Sequence, residues 1–594
     1  MAEGRKPLTY LELIERIDLV VEELHTFGIG RNDRIAIVLP NGPEMAVAFL
    51  AVASGATAAP LNPAYQKSEY EFYLSDINAN ALLVEAGSTS PSIDVAEQLG
   101  IPILELAPGL DYPAGYFSIS SNRTLDEKQD GFSQPQDVGL VLHTSGTTSR
   151  PKIVPLTQEN LVHSAFSIQS WLELTPADRV LNVMPLFHVH GILASLLASL
   201  TAGASVVCTS GFLAPRFFEW MDEYHPTWYT AVPTMHQSIL SRTEQHEDIL
   251  RRRQFRFIRS CSAALPPQVM MALEKIFGVP VVEAYGMTEA SHQIACNPLP
   301  PRVRKPGSVG LATGTEVAIM DEVGDFLPIG EQGEIVIKGK AVASGYENNP
   351  DANQASFSDG WFRTGDLGHL DKEGYIFISG RKKEIINRGG EKISPREVDE
   401  VLLDHPAIEQ AVVFGFPDPE LGEDVAAAVV LREGSDLNQQ ELRRYVALRL
   451  ATFKIPSYVV FLDEIPKGPT GKLQRIGLAD RLNITSLSTS KGARAEERIE
   501  PSSPMEKRLL QIWSEVLGLS EFGVGDRFLD LGGDSMLAGQ IVSRVREAFQ
   551  IEVSIVDFFE APTIAEMAKV LEGRIIEEIE SFSDEEVKRQ SDAS

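Results

Sequence analysis

The first residues in the chain whose types and spacing could do chemistry are Thr144-Ser-Gly-Thr-Thr-Ser-Arg-Pro-Lys152. Short hydroxyl side chains, a glycine and a lysine in one loop offer backbone N–H groups and a mobile cation to phosphate oxygens. The strand-like run GLVLH precedes them, and the pattern predicts a strand-to-helix loop. This is not a P-loop, because G-x-x-x-x-G-K-[ST] is absent. Alone, the segment reads better as a Ser/Thr-rich surface turn.

Four more short motifs follow in order: Tyr285-Gly-Met-Thr-Glu289, Trp361-Phe-Arg-Thr-Gly-Asp366, Gly380-Arg381-Lys-Lys383 and Pro469-Thr-Gly-Lys472. With the first, they resemble the adenylate-forming superfamily of acyl-CoA synthetases, aryl-acid ligases, luciferases and nonribosomal-peptide adenylation domains. The resemblance covers nearly all of residues 1–481. It implies ATP-dependent activation of a carboxylic acid as an acyl-AMP, followed by transfer to a thiol. Joining a carboxylate to a phosphate brings two anions together, so such a site must supply cations and fixed dipoles.

By this resemblance, Thr144, Ser145, Gly146, Thr147, Thr148 and Lys152 cradle phosphate, and Ala263, Glu283, Ala284, Tyr285 and Gly286 surround the nucleotide base. Tyr285 would stack on adenine, while Asp366 and Arg381 hold the ribose. Thr288 contacts phosphate, and Glu289 holds Mg²⁺, a hard ion suited to carboxylate and phosphate oxygens. Lys472 bridges the substrate carboxylate and the α-phosphate. Lys383 stands at the family's hinge, where rotation exchanges Lys472 for the Arg388-Gly389-Gly390-Glu-Lys392 loop lining a thiol tunnel. Each has a blander reading: a turn Asp366, a solvated Lys472, a plain glycine turn at Gly389 and Gly390. Five motifs in family order weigh against those readings taken together.

The acyl group is read from Pro185-Leu-Phe-His188-Val-His190-Gly191. Amino-acid-activating relatives place an aspartate after this phenylalanine; here His188 follows Phe187, which argues against an amino acid. The segment is similar to acyl-CoA ligases, in which the first histidine gates the pantetheine tunnel. TSGTTSRPK, PLFHVHG and YGMTEASHQIACNPLP together resemble oxalate–CoA ligases, implying that His190, Ser262 and His292 hold a second carboxylate. An imidazole near its pKa can present N–H to an anion, so a small di- or polycarboxylic acid is chemically sensible. Which of His188 and His190 faces the pocket stays open, and His292 reads equally well as a capping or surface histidine.

A second signal lies near the C-terminus. Phe528-Leu-Asp-Leu-Gly-Gly-Asp-Ser535-Met-Leu resembles the phosphopantetheine attachment motif of carrier domains. It implies 4′-phosphopantetheine on Ser535, at the start of a helix with Asp534 near its cap. A phosphopantetheinyl transferase and a downstream acceptor enzyme are then implied partners, and tethering favours transfer in cis. A free acyl-CoA ligase whose carrier serves a partner, and a non-catalytic scaffold, are the competing readings.

The elements that must position these groups are legible as patterns. RIAIVLP, ALLVEA, GASVVCT and TWYTAVP read as strands alternating with helices, predicting α/β architecture with parallel sheets. EVAIMD, GEIVIKG and GYIFISG predict a smaller β-rich barrel or sheet between Val309 and Ile378. The expected domains are an N-terminal core over 1–381, a small α+β lid over 382–481, a linker over 482–503, an all-α four-helix carrier over 504–574 and an acidic tail over 575–594. Leu509, Ile512, Trp513 and Val516, then Leu537, Ile541, Val545 and Phe549, mark two amphipathic helices of that carrier.

A chain of 594 residues with net charge −30 disfavours nucleic acid or an anionic membrane as partner. Cys208, Cys261 and Cys296 show no CxxC spacing and read as small buried hydrophobes. The apolar stretches Glu44–Leu61 and Gly191–Cys208 read as core helices running into buried strands rather than membrane spans. With no apolar signal region at the N-terminus and no S-K-L ending, a cytoplasmic location is the expectation.

Overall fold

The structure, a computed structural model, describes residues 1–123, 131–144, 151–419, 421–466, 473, 475–482, 484, 499–517, 519, 522–526, 528, 531, 535–551, 553–554, 557–558 and 561–575. It divides into two compact units. One holds Met1–Gly415, Ala426–Asn438 and Val459–Leu478; the other holds Phe416–Val425, Gln439–Tyr458 and Ala479–Ser594.

The first unit opens with a seven-stranded sheet of order β5-β4-β3-β1-β2-β6-β7. Its strands are β1 (Arg34–Val38), β2 (Thr57–Pro60), β3 (Ala81–Glu85), β4 (Ile103–Pro108), β5 (Phe117–Ser121), β6 (Val138–His143) and β7 (Ile153–Thr157). β1 to β4 and β6 run parallel, with β5 and β7 antiparallel at the edges. The stretch Glu44–Leu61 behaves as its composition predicts. Pro43 starts a helix, Pro43–Gly55, whose small residues let it pack closely, and β2 follows fully buried. A Cβ on Gly55 would lie 2.8 Å from Val21, so the approach of the helix Tyr10–Thr26 depends on that glycine.

A second sheet has order β14-β13-β12-β11-β10-β8-β9. It comprises β8 (Arg179–Asn182), β9 (Ser205–Cys208), β10 (Trp228–Ala231), β11 (Phe257–Ser260), β12 (Val281–Met287), β13 (His292–Cys296) and β14 (Leu311–Ala312). β8 to β12 are parallel and buried on both faces, which explains their unbroken apolar runs. Within one such run, FIRS of β11, stands the fully buried Arg259. The three cysteines are buried and free.

A third, antiparallel sheet joins β15 (Glu316–Met320), β16 (Gly333–Lys338), β17 (Phe357–Ser358), β18 (Trp361–Leu370) and β19 (Ile376–Arg381). β20 (Ile386–Arg388), β21 (Glu391–Ile393), β22 (Ile408–Asp418), β23 (Gly422–Leu431) and β24 (Tyr458–Phe461) form the fourth, in order β21-β20-β23-β22 with β24 beside β23.

In the second unit the helices Pro504–Leu517 and Ser535–Phe549, with helical residues 564–575, enclose an apolar core. Trp513, Phe528 and Phe558 meet there with ring centroids 4.7–5.6 Å apart. Leu509, Ile512, Ile541 and Val545 close around them, as the helical periodicity predicts. Among the described residues, no helix is long and apolar enough to cross a membrane.

Candidate active site

The loop from Thr144 to Lys152 does not join a strand to a helix, contrary to the sequence expectation. Ile153–Thr157 is apolar and pairs antiparallel with β6, so the loop connects two strands, and the helix Gln158–Trp171 begins only afterwards. Its base is closed by the Thr144 N–H donating to the Lys152 carbonyl at 2.9 Å. Ser145, Gly146, Thr147 and Thr148 lie outside the described residues.

Lys152 and Glu289 are joined through a residue the motifs did not flag. The Lys152 ammonium sits over the Tyr346 ring, 4.2 Å from its centroid, and the Tyr346 hydroxyl donates to Glu289 Oε1 at 2.7 Å. Partial burial, then the neighbouring Lys383 charge, lowers the Lys152 pKa, and Glu289 offsets part of this. A carboxylate fixed beside a lysine suits Mg²⁺ brought in on phosphate oxygens.

The turn carrying Thr288 and Glu289 is unusually tight. β12 and β13 pair antiparallel with an irregularity at Tyr285 and Gly286. A Cβ on Gly286 would lie 1.5 Å from the His292 carbonyl oxygen, so only glycine fits. Ser291 and His292 both hold left-handed backbone, at φ 47° and 89°, and Ser262 across the pocket does so at 75°. Non-glycine residues held there cost about 1–3 kcal/mol each and cluster at functional sites. His292 is buried at the start of β13, which rules out its reading as a surface histidine.

Asp366 is no turn residue either. It lies buried within β18, paired with Arg381 of β19. The Tyr285 hydroxyl donates to Asp366 Oδ2 at 2.5 Å, and Arg381 Nε donates to Oδ1 at 3.1 Å. Burial raises the Asp366 pKa and the Arg381 charge opposes the rise. A carboxylate so oriented can accept from vicinal hydroxyls such as those of ribose. Nearby, Glu334 accepts from Arg363 Nε at 2.9 Å and from the Gly365 N–H at 3.1 Å, fixing the bend before Asp366.

On another wall, backbone approaches closely at Gly191, where a Cβ would meet the Pro185 carbonyl oxygen at 2.2 Å. The following His190–Leu197 stretch is π-helical, a widening frequent at functional sites. The two histidines, both ahead of that glycine, face different surroundings. His188 lines the cavity with Ser262 and His292, whereas His190 lies fully buried behind them. His190 Nδ1 is 3.0 Å from Ser262 Oγ, its Nε2 is 2.6 Å from Thr230 Oγ1, and its ring stacks on that of His292 at 5.0 Å.

The cavity measures about 550 Å³, and the same space is faced by Thr144, Lys152, Thr288, Glu289, Arg381 and Lys383. Glu283 lies elsewhere, beneath the Ser262–Leu265 loop, where its Oε1 accepts the Leu265 N–H at 2.9 Å and burial pushes its pKa up to about 7. It supports the loop bearing Ala263, while Ala284 is buried in β12. Gly389 and Gly390 form the tip of the β20–β21 hairpin, at φ 57° and 95°, the two positive values a two-residue turn requires. Lys472 lies outside the described residues. Arg475 pairs with Asp399 at 2.6 Å and with Glu384, next to Lys383, at 3.1 Å. Ser535 is the first residue of its helix; Asp534 lies outside the described residues.

Residues 1–347 match the family described as AMP-binding enzyme. The chain belongs to that family. Residues 397–472 match the AMP-binding enzyme C-terminal domain, and residues 507–571 match a phosphopantetheine attachment site. This AMP-binding enzyme is 46% identical to the oxalate–CoA ligase of Arabidopsis thaliana over 480 residues, 80% of this chain and 93% of the relative. It resembles the structure of O-succinylbenzoate coenzyme A synthetase (MenE) from Bacillus subtilis in complex with ATP and magnesium ion. That match has TM-score 0.69 and 31% identity over 81% of this chain and 96% of the other. It also shares a fold with McyG A-PCP complexed with phenylalanyl-adenylate (TM-score 0.77, 22% identity, 95% of this chain and 93% of that one). The chain is an AMP-forming acid–thiol ligase with a carrier region, using ATP, Mg²⁺ and 4′-phosphopantetheine.

Proposed function

We propose that this enzyme adenylates a small, non-amino di- or polycarboxylic acid and passes the acyl group to the phosphopantetheine thiol on its own Ser535. One observation carries the substrate class: Ser262 and His292, backed by His190, share a single cavity with Lys152 and Glu289. The polar wall takes the distal carboxylate, and the reacting carboxylate then faces the nucleotide side.

In this reading Lys152 and the Thr144–Thr148 loop hold phosphate, Asp366 and Arg381 hold the ribose, and Tyr285 borders the base. Glu289 would hold Mg²⁺, whose charge would offset that of the phosphates. Lys472 supplies the cation at the α-phosphate as the carboxylate attacks, and His188 lies at the approach of the thiol. Lys383 is the hinge about which the two half-reactions exchange, and Gly389 and Gly390 allow close passage of a thin pantetheine arm. Ser535 follows from the matched attachment segment and its place at a helix start. The 46% identity to an oxalate–CoA ligase favours a second reading, release of free acyl-CoA with the carrier serving a partner protein.

The test is the intact mass of protein loaded by a phosphopantetheinyl transferase, then incubated with ATP, Mg²⁺, free CoA and a panel of acids. An acyl increment on the holo form, absent in Ser535→Ala, is expected, and Lys472→Ala should abolish pyrophosphate release. An unchanged holo mass with acyl-CoA appearing in solution would establish the second reading instead.

A further inference from the structure

Arg259 belongs to no motif in the sequence, yet its guanidinium is fully buried and reaches both His190 and His292. Nη2 donates to His292 Nε2 at 3.1 Å and to Gln293 Oε1 at 2.8 Å. Nη1 lies 3.2 Å from Thr230 Oγ1 and 3.5 Å from His190 Nε2. Among the described residues these side-chain partners are two imidazoles, a hydroxyl and a carboxamide, and none is a carboxylate. A buried cation without an anion is costly, and a guanidinium cannot shed its charge as a lysine can.

Because guanidinium only donates, the direction of every bond in this cluster is set from one end. His292 Nε2 must accept, which leaves its proton on Nδ1. The donor-only Arg259 Nη1 also faces His190 Nε2 at 3.5 Å, so that nitrogen carries no proton and accepts the Thr230 hydroxyl hydrogen at 2.6 Å. His190 then carries its proton on Nδ1 and donates it to Ser262 Oγ at 3.0 Å. The Ser262 hydroxyl, with its oxygen already accepting, is left to donate into the cavity it lines.

We propose that Arg259 is a positioning and specificity-determining residue for the distal carboxylate. It supplies the pocket's buried positive charge and, through Thr230 and His190, turns Ser262 into a donor aimed at that anion. Arg259 itself need not touch substrate. This rests on the dicarboxylate reading above and names the group that enforces it.

The test compares Arg259→Gln with wild type in acid-dependent pyrophosphate release, using oxalate, malonate and succinate as dianionic probes and acetate and propionate as monoanions. The expected result is a KM for the best dianion raised about 30-fold or more, with the KM for ATP and kcat/KM for monoanions within about threefold. Thr230→Val cuts the same chain one link later and should raise the dianion KM alone, by about tenfold. It decides the matter if Arg259→Gln does not fold by circular dichroism. Equal losses on dianions and monoanions in the folded variants would overturn the role and mark Arg259 as a packing residue. A wild-type enzyme that acts only on monoanions would sink the dicarboxylate reading together with this one, so the two failures are distinguishable.

Discussion

Tyr346 offers the sharpest way to separate the two halves of the phosphate site. Its hydroxyl holds Glu289 and its ring carries Lys152, so Tyr346→Phe removes the first contact and keeps the second. A hydrogen bond to a charged group contributes about 1.5–3 kcal/mol net. Glu289 faces an open cavity from which water can partly replace the hydroxyl, so the lower end applies, about a factor of ten. Tyr346→Leu also removes the cation–π contact, about 0.5–2 kcal/mol, or a further factor of about 2 to 30. Pyrophosphate release titrated with Mg²⁺ at fixed ATP, and with ATP at saturating Mg²⁺, reads the two contacts separately. Tyr346→Phe should raise the Mg²⁺ requirement about tenfold and leave the KM for ATP near normal, whereas Tyr346→Leu should raise both. An unchanged Mg²⁺ requirement in Tyr346→Phe, or identical behaviour of the two variants, would refute this coupling of Glu289 and Lys152 through one side chain.

Gly286→Ala places a Cβ 1.5 Å from a backbone oxygen, so the β12–β13 hairpin must open by about 2 Å to reach an ordinary contact. Since misplacing reacting groups by about 1 Å can cost about 100-fold, kcat/KM should fall at least that far in protein that stays folded by circular dichroism. Glu283 gives a pH prediction. Its folded pKa of about 7 lies above the ordinary 4.5, so its contribution is full below pH 4.5 and is lost as pH rises through 7. The loss is about 3 kcal/mol. Glu283→Gln, which can still accept the Leu265 N–H, should flatten the decline in urea stability between pH 5 and pH 8 and exceed wild type at pH 8.

The features that periodicity and turn chemistry encode were readable before any coordinates. The buried runs RIAIV and ALLVE became parallel strands, and Glu44–Leu61 became a helix feeding a strand because its small residues permit close packing. A phosphate-loop motif points to a helix behind it, but the residues after Lys152 form a strand. The β-branched and apolar Ile153-Val-Pro-Leu instead found a partner strand in β6, a tertiary pairing that local pattern does not encode. Tyr346 carried no signal at all: it meets Lys152 and Glu289 only because three distant segments converge.

Arg259 did carry a signal, in the form of a conflict. An arginine inside FRFIRSCSA breaks an otherwise apolar strand pattern that β10 and β12 bury on both sides. Motif spacing points to Ser262 in that run and is silent on Arg259 three positions before it, because it ranks residues by family position rather than by the cost of burying them. Where a strand destined for the middle of a parallel sheet contains a permanent cation, burial demands hydrogen-bond partners and, in the end, an anion. The partners are His190, His292, Thr230 and Gln293. The anion, by this argument, arrives with the substrate, and that makes the most unfavourable residue in the strand the one that selects what the enzyme activates.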